Sequence, residues 1–388
     1  MAEGAAIARR VTLRTIAREW VRIGCIGFGG PPAHITLLRK LCVEQRRWLS
    51  AQEFEDGVAA TNLLPGPAST QLAIFCAWRL RGPLGGVLGG LCFIVPGLVV
   101  ILVLSALFLE ARPPRWVAGA AAGAGAAVPA VALQAATTLV PASLARAGSA
   151  WRGRVRWLLY LLAGGVAAAT IGPYLVLVLA ACGVVEAAVW ARLPPTTPGA
   201  LLAALPGAAA GGLLGVAWVA LKVGLLSYGG GFVIIPLMQH DAVHGYHWMT
   251  NAQFLGAVAL GQVTPGPVVQ TVAVVGYAAA GVGGGLLAAL VAFTPSFLFV
   301  LLGGPRFDQL RRSRLVQAFL TGAGPAAVGA IAGAAIPLGL ALVEPWQLEV
   351  LAAAAGWLLL LRRGVVSALV GSSVLGAIVA LAGAPIGR

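Results

Sequence analysis

The sequence predicts an all-α polytopic membrane protein made of two inverted-topology repeats with broken, re-entrant helices. Three observations predict this. First, 59% of the 388 residues are apolar and only 10% charged, with a mean hydropathy of +0.92, more than a water-soluble core of this size requires. Second, stretches such as 83–109 and 364–384 reach the roughly 20 residues needed to cross about 30 Å of hydrocarbon. They lack the period-two alternation of a β-barrel strand. Third, the chain repeats itself. Phe28-Gly29-Gly30 returns as Tyr228-Gly229-Gly230, and Pro65-Gly66-Pro67 as Pro265-Gly266-Pro267, each 200 positions later (228 − 28 and 265 − 65).

The register holds between these fixed points. Arg22 aligns with Lys222, Gly24 with Gly224, Trp48 with Trp248, Ser50 with Thr250 and Phe54 with Phe254. One residue is then lost, so that Pro96 meets Pro295, and the register returns at Ala126-Ala127-Val128 against Ala326-Ala327-Val328. The expected division is a first repeat at 1–192, a linker with a connecting helix at 193–218, and a second, inverted repeat at 219–388.

In chain order, residues 10 to 27 read as a basic helix that turns apolar and stops at Gly27-Phe28-Gly29-Gly30-Pro31-Pro32, where proline removes amide donors and restricts the residue before it. A segment from Ala33 to Leu41 returns to Arg39, Lys40, Arg46 and Arg47, so both ends of this hairpin are basic. Ser50 followed by Glu53 is a capping box, and Thr250 with Gln253 repeats it. The helix so begun breaks at Pro65-Gly66-Pro67 and resumes to Arg79 and Arg81, a second hairpin. Crossings are then expected at 83–110 with a kink at Pro96, 116–140, 157–171 and 174–190, with Gly172-Pro173 as a turn. After the linker 193–199, further crossings fall at 200–218, 316–342, 346–361 and 364–384. With the hairpins of the second repeat the expectation is about nine full crossings plus four re-entrant hairpins.

Loop charge sets the orientation. The formal charge of +14 resides in short loops between apolar spans, which fits positive-inside topology and not a nucleic-acid groove. Where the first repeat carries Arg39, Lys40, Arg46 and Arg47, the second carries His240, Asp241, His244 and His247; Arg79 and Arg81 are replaced by the uncharged Ala279 to Gly281. Conversely, Arg306, Arg311, Arg312 and Arg314 stand where the first repeat has only Arg112 and Arg115. Equivalent loops of opposite bias are the mark of an inverted repeat. The N-terminus, with Arg9, Arg10, Arg14 and Arg18 and no apolar run before a cleavage site, reads as cytoplasmic and uncleaved; the C-terminus reads as external. The five cysteines, Cys25, Cys42, Cys76, Cys92 and Cys182, have no CxxC spacing and read as small core residues.

Irregular backbone at membrane depth is tolerated only where protein or a watery cavity covers it, so four breaks point to one site. Helix N-termini at the breaks present free amides suited to an anion. Gly29, Gly30, Gly66, Gly229, Gly230, Gly231 and Gly266 let backbone approach a ligand, or serve helix packing alone. Phe28, Tyr228, Pro65, Pro67, Pro265 and Pro267 frame the same breaks. Arg22 and Lys222 lie in apolar company six residues before Phe28 and Tyr228 and are the candidate anion-attracting cations, with snorkelling to headgroups as the alternative. Asn62, Ser69, Thr70, Gln71, Gln262, Thr264, Gln270 and Thr271 can donate to an oxyanion or satisfy freed backbone.

His240-Asp241-Ala242-Val243-His244 resembles a zinc-protease HExxH with Asp for Glu, and His247 lies nearby; a membrane zinc protease is the distant alternative. No phosphate-binding GxxxxGK[ST] and no dinucleotide fingerprint is present. No cofactor is expected.

The motifs GFGGPPAH at 27–34, NLLPGP at 62–67 and GGVLGG at 85–90, with their second-half counterparts, closely resemble the chromate ion transporter family in its long, two-domain form. The resemblance implies secondary export of chromate across the cytoplasmic membrane, giving chromate resistance, with sulfate or another oxyanion as alternative substrate. The lipid bilayer is the expected surrounding partner, and a homodimer is compatible with it. Tyr228-Gly229-Gly230-Gly231 departs from the family pattern, since the first copy has Pro31 where the second has Gly231.

Overall fold

A computed structural model describes residues 11–62, 64–109, 113–170, 174–191, 211–227, 231–303 and 313–386; these are helices and turns, with no strand among them. α1 (Leu13–Ile26) starts on the Thr12 cap, whose hydroxyl accepts from the Thr15 amide, and stops at Gly27. α2 (Pro31–Arg39) follows and widens into a π turn, Lys40–Gln45. α3 (Ala51–Thr61) carries the expected capping box, with both the Ser50 and Glu53 bonds made. α4 (Ala68–Phe108) leaves helical geometry at Arg81 and Gly82, where Gly82 has φ 62°. α5 (Arg115–Ala147), α6 (Trp151–Thr170) and α7 (Leu175–Ala191) complete the first half.

The second half runs α8 (Leu213–Leu226), a 3-10 turn at Phe232–Ile234, α9 (Ile235–Gln239), a π turn at His240–Gly245 and α10 (Asn251–Val263). Then come α11 (Thr271–Gly303), α12 (Arg314–Leu340), α13 (Pro345–Ala355) with a π turn at Gly356–Leu360, and α14 (Val365–Leu381). Local backbone features recur at the sequence spacing. Thr250 and Gln253 make the second capping box. Arg47 and His247 are left-handed at φ 50° and 55°, each closing a π turn; behind them Trp48 donates to the Cys42 carbonyl and Trp248 to that of Ala242. Gly281, at φ 63°, bends α11 as Gly82 bends α4.

By length and composition four helical stretches among the described residues can cross a membrane: Ala68–Phe108, Arg115–Ala147, Val268–Gly303 and Arg314–Leu340. Leu175–Ala191, Leu213–Leu226, Pro345–Leu360 and Val365–Leu381 are shorter apolar helices. Large apolar side chains such as Leu84, Val103, Leu302 and Leu340 face outward from these helices, the surface a bilayer covers.

Packing crosses between halves. α4 lies against α1 and α11, and α11 against α8. The final helices are exchanged: α5 packs on α13 and α14, whereas α12 packs on α6 and α7. Small residues make these crossings close, as membrane bundles require without a hydrophobic drive between helices. A Cβ at Gly329 would collide with the Leu161 carbonyl, one at Gly123 with that of Ser372, and one at Gly322 with that of Cys182. The last two contacts mirror each other: Gly123 and Gly322 are 199 positions apart (322 − 123), and the carbonyls they meet belong to α7 and α14, the last helices described in each half.

Some expectations change. α6 begins at Trp151, several residues before the expected 157, because Arg152, Arg154 and Arg156 are helical. Of the cysteines, Cys42, Cys76 and Cys182 are buried but Cys25 is exposed, at the end of α1 where the helix leaves the core. The linker 193–199, the Gly172-Pro173 turn, and Arg9, Arg10, Arg112, Arg306, Arg311 and Arg312 lie outside the described residues.

Candidate functional site

The interruptions come together. α1 ends at Gly27, and the carbonyl this frees accepts from two donors: His34 Nε2 at 2.9 Å and, from the other half, the backbone amide of Gly266 at 2.9 Å. Gly66 (φ 114°) and Gly266 (φ 99°) turn the two Pro-Gly-Pro segments in a region closed to side chains. A Cβ on Gly66 would stand 2.7 Å from Gln71 Nε2 and 3.2 Å from both the Gly224 carbonyl and Ser296 Oγ. In the counterpart, Gly97 abuts the Pro265 carbonyl and Gln270. Each Pro-Gly-Pro turn therefore nests against the residue that follows Pro96 or Pro295 in the opposite half, since 97 + 199 = 296.

Two glutamines hold these turns. Gln71 Nε2 donates to the Pro65 carbonyl at 2.6 Å, and Gln270 Nε2 to that of Ile94 at 2.7 Å. Because a carbonyl only accepts, each amide is fixed with its oxygen turned away from its anchor. Thr264 and Thr271 hydroxyls donate to the Leu260 and Val268 carbonyls, so these two satisfy backbone. Pro67, Pro265 and Pro267 are buried; Phe28, Gly29, Asn62 and Pro65 are exposed, and Gly30 is buried against Val268. The breaks of the first half thus reach the surface at Phe28, Gly29 and Pro65, while in the second half the Phe232–Ile234 turn after Gly231 packs against α12. Tyr228, Gly229 and Gly230 lie outside the described residues.

Among the described residues, seven buried side-chain polar atoms find no hydrogen-bond partner: His34 Nδ1, Thr70 Oγ1, Gln71 Oε1, Ser227 Oγ, Gln262 Nε2, Gln270 Oε1 and Ser296 Oγ. All belong to the interrupted segments or to residues touching them. Native interiors leave few such groups unsatisfied, each at a cost of about 1–3 kcal/mol. Three of these residues, His34, Ser227 and Ser296, fall outside the sequence-derived candidates. The repeat register held the signal for two of them: Ser227 and Ser296 are hydroxyls standing where the first half has Gly27 and Gly97.

The candidate cations are both engaged. Arg22 is exposed and pairs with the buried Glu19, which also takes Arg46 at 2.7 Å. Lys222 is half-buried, pairs with Asp241 and lies 5.6 Å from the Trp218 ring centroid. No described hydrogen bond joins either to the broken backbone.

The zinc-protease reading lacks a ligand set. Asp241, its general base, is held by Lys222, and no three of His, Cys, Asp and Glu come together among the described residues. Burial holds His240 below the ordinary histidine range against the opposing pull of Asp241, while His244 and Lys222 add to the lowering. A separate cavity of about 180 Å³ between α4, α5 and α10 is walled by Leu104, Phe108, Val117, Gly256 and Leu260, an apolar lining unsuited to an anion.

The sequence profile of the chromate transporter family matches residues 14–187 and again 214–384, one match per half. The chain belongs to the chromate transporter family. A chromate transport protein of Cupriavidus metallidurans is 33% identical over 341 residues, 84% of this chain and 82% of that one. One from Pseudomonas aeruginosa is also 33% identical, over 84% of this chain and 81% of its own. A probable chromate transport protein of Synechococcus elongatus is 28% identical over 87% and 91% respectively. No solved structure matches the chain. As a family member with apolar spanning helices, it is a multi-pass membrane protein, and the relatives above carry the name of transport proteins.

Proposed function

We propose that this chromate transporter family member exports chromate across the cytoplasmic membrane and thereby confers chromate resistance, binding the tetrahedral oxyanion between the broken helices of its two halves. The observation that carries this reading is the set of unpartnered polar atoms where those breaks meet. Thr70, Ser227, Ser296 and Gln262 retain free donors, and Gly29, Gly30, Gly66, Gly266 and the helix starts at Pro67 and Pro267 add backbone amides and dipole ends. An oxyanion would satisfy these four side-chain donors, whereas Gln71 Oε1 and Gln270 Oε1 only accept and would not contact it. Sulfate shares this geometry and is the competing substrate.

Equivalent residues meet reciprocally across the halves, the pattern a two-fold axis generates. Such an axis can lie in the membrane plane or along its normal. The opposite charge of equivalent loops favours the plane, and hence inverted repeats with the binding site near mid-depth. Residues 68–80, before the Arg81–Gly82 bend, span only about 20 Å at 1.5 Å per residue, short of a crossing and suited to a re-entrant limb. An inside-negative potential drives a dianion outward by on the order of 5 kcal/mol per 100 mV.

Lys222 and Arg22 would draw the anion toward the junction, Lys222 more strongly because it is less exposed. Two measurements test the proposal. Inside-out vesicles should show saturable chromate uptake that requires the protein and falls more than tenfold in Lys222→Ala and less in Arg22→Ala; uptake equal to empty vesicles removes the function. Single cysteines at 47 and 247, in a cysteine-free background, should label from opposite faces; labelling from the same face removes the inversion.

A further inference from the structure

His34 is completely buried where α2 meets α4, its ring edge-on to Phe93 with centroids 5.0 Å apart. Its Nε2 lies 2.9 Å from the Gly27 carbonyl, the same oxygen that the Gly266 amide reaches from the other half. A carbonyl oxygen cannot donate, so Nε2 carries the hydrogen. The neutral ring therefore presents Nδ1 as a lone pair, and that atom has no partner.

The two protonation states ask for different surroundings. With Nδ1 bare, the ring beside the Gly27–Gly266 contact is neutral and offers an oxyanion no charge. With Nδ1 protonated, an N–H and a positive charge are buried with nothing to accept them, which is costly unless an anion is present. Proton and anion thus stabilise each other's binding. Charged groups on the elements packed against α2 do not supply an alternative partner. On α1, Glu19 is held by Arg22 and Arg46; on α4, Arg79 is held by Glu53; Arg39, at the end of α2, is shared by Glu44 and Glu55. No described hydrogen bond joins Arg14, Arg18, Lys40 or Arg81 to the imidazole, whose one described bond is to the Gly27 carbonyl.

We propose that His34 is the proton-binding residue of the transport cycle: Nδ1 takes a proton from water as the oxyanion binds and returns it as the oxyanion leaves. This rests on the reading of the junction as the anion site. The second half has Ile234 at the equivalent position (34 + 200), so the chain carries one such imidazole, and one proton accompanies each anion. A chromate dianion then crosses with one net negative charge.

The test is proton uptake by the purified full-length protein in weakly buffered detergent when potassium chromate is added, with a protein-free blank to subtract chromate's own protonation. The wild type should take up about one proton per anion bound, and its affinity should fall about tenfold per pH unit above the His34 titration. In His34→Gln, whose amide keeps a donor for Gly27, uptake should vanish and chromate affinity should no longer follow pH; His34→Asn serves if that variant does not fold. Chromate binding by the wild type without proton uptake, or equal uptake in either variant, overturns the proposal. Absence of any chromate binding by the wild type would instead strike the anion site beneath it, and this inference with it.

Discussion

Lys222 is committed to Asp241 in a half-buried pair, so Lys222→Met should cost about 1–3 kcal/mol by stranding the carboxylate, and adding Asp241→Asn should recover most of it. Thermal unfolding of the three variants in detergent measures this; an additive double variant would mean the pair does not couple. Glu53 reports on acidity. Burial raises its carboxyl, but the Ser50 amide and Arg79 outweigh that and hold it below the ordinary range. A depressed carboxylate contributes stability above its unfolded value and loses it as pH falls through the folded one. Wild-type protein should therefore lose melting temperature below about pH 4 more steeply than Glu53→Gln; parallel pH profiles would contradict the assignment. At this scale the capping boxes were legible because they are purely local chemistry. The engagement of Lys222 with Asp241 was not, since the two stand 19 positions apart and composition shows a cation's neighbours in sequence but hides such partners in space.

Among elements, the helix crossings carry the architecture. Gly329 on α12 leaves no room for a side chain beside the Leu161 carbonyl of α6, so Gly329→Val must part the helices and should destabilise by about 1–3 kcal/mol. Gly339, at the far end of α12 with open space around it, is the control, and Gly339→Ala should be near neutral in the same melting experiment. Equal losses at the two positions would show that the crossing is not where the close approach matters. The break positions were readable in sequence because proline and glycine interrupt helices by covalent geometry. The π turns at Lys40–Gln45 and His240–Gly245 were not, because a widened turn has no residue signature of its own.

Across the whole molecule, duplication was visible in the register and its consequence was not. The exchange of α13 and α14 onto α5, and of α6 and α7 onto α12, is decided by which small-residue faces fit, a property of pairs of helices that a linear pattern does not express. That exchange ties the halves into one body and brings their interruptions to a common junction. The central claim is that unpartnered groups from both halves jointly hold the oxyanion. Thr70→Val and Gln262→Leu each delete one such group, from α4 and α10, while removing no described hydrogen bond from that group. The deciding measurement is chromate binding to the two purified variants beside their melting temperatures. The account predicts that each binds chromate at least tenfold more weakly while melting no lower than wild type. Wild-type affinity in either variant would mean that its half does not contribute to the site.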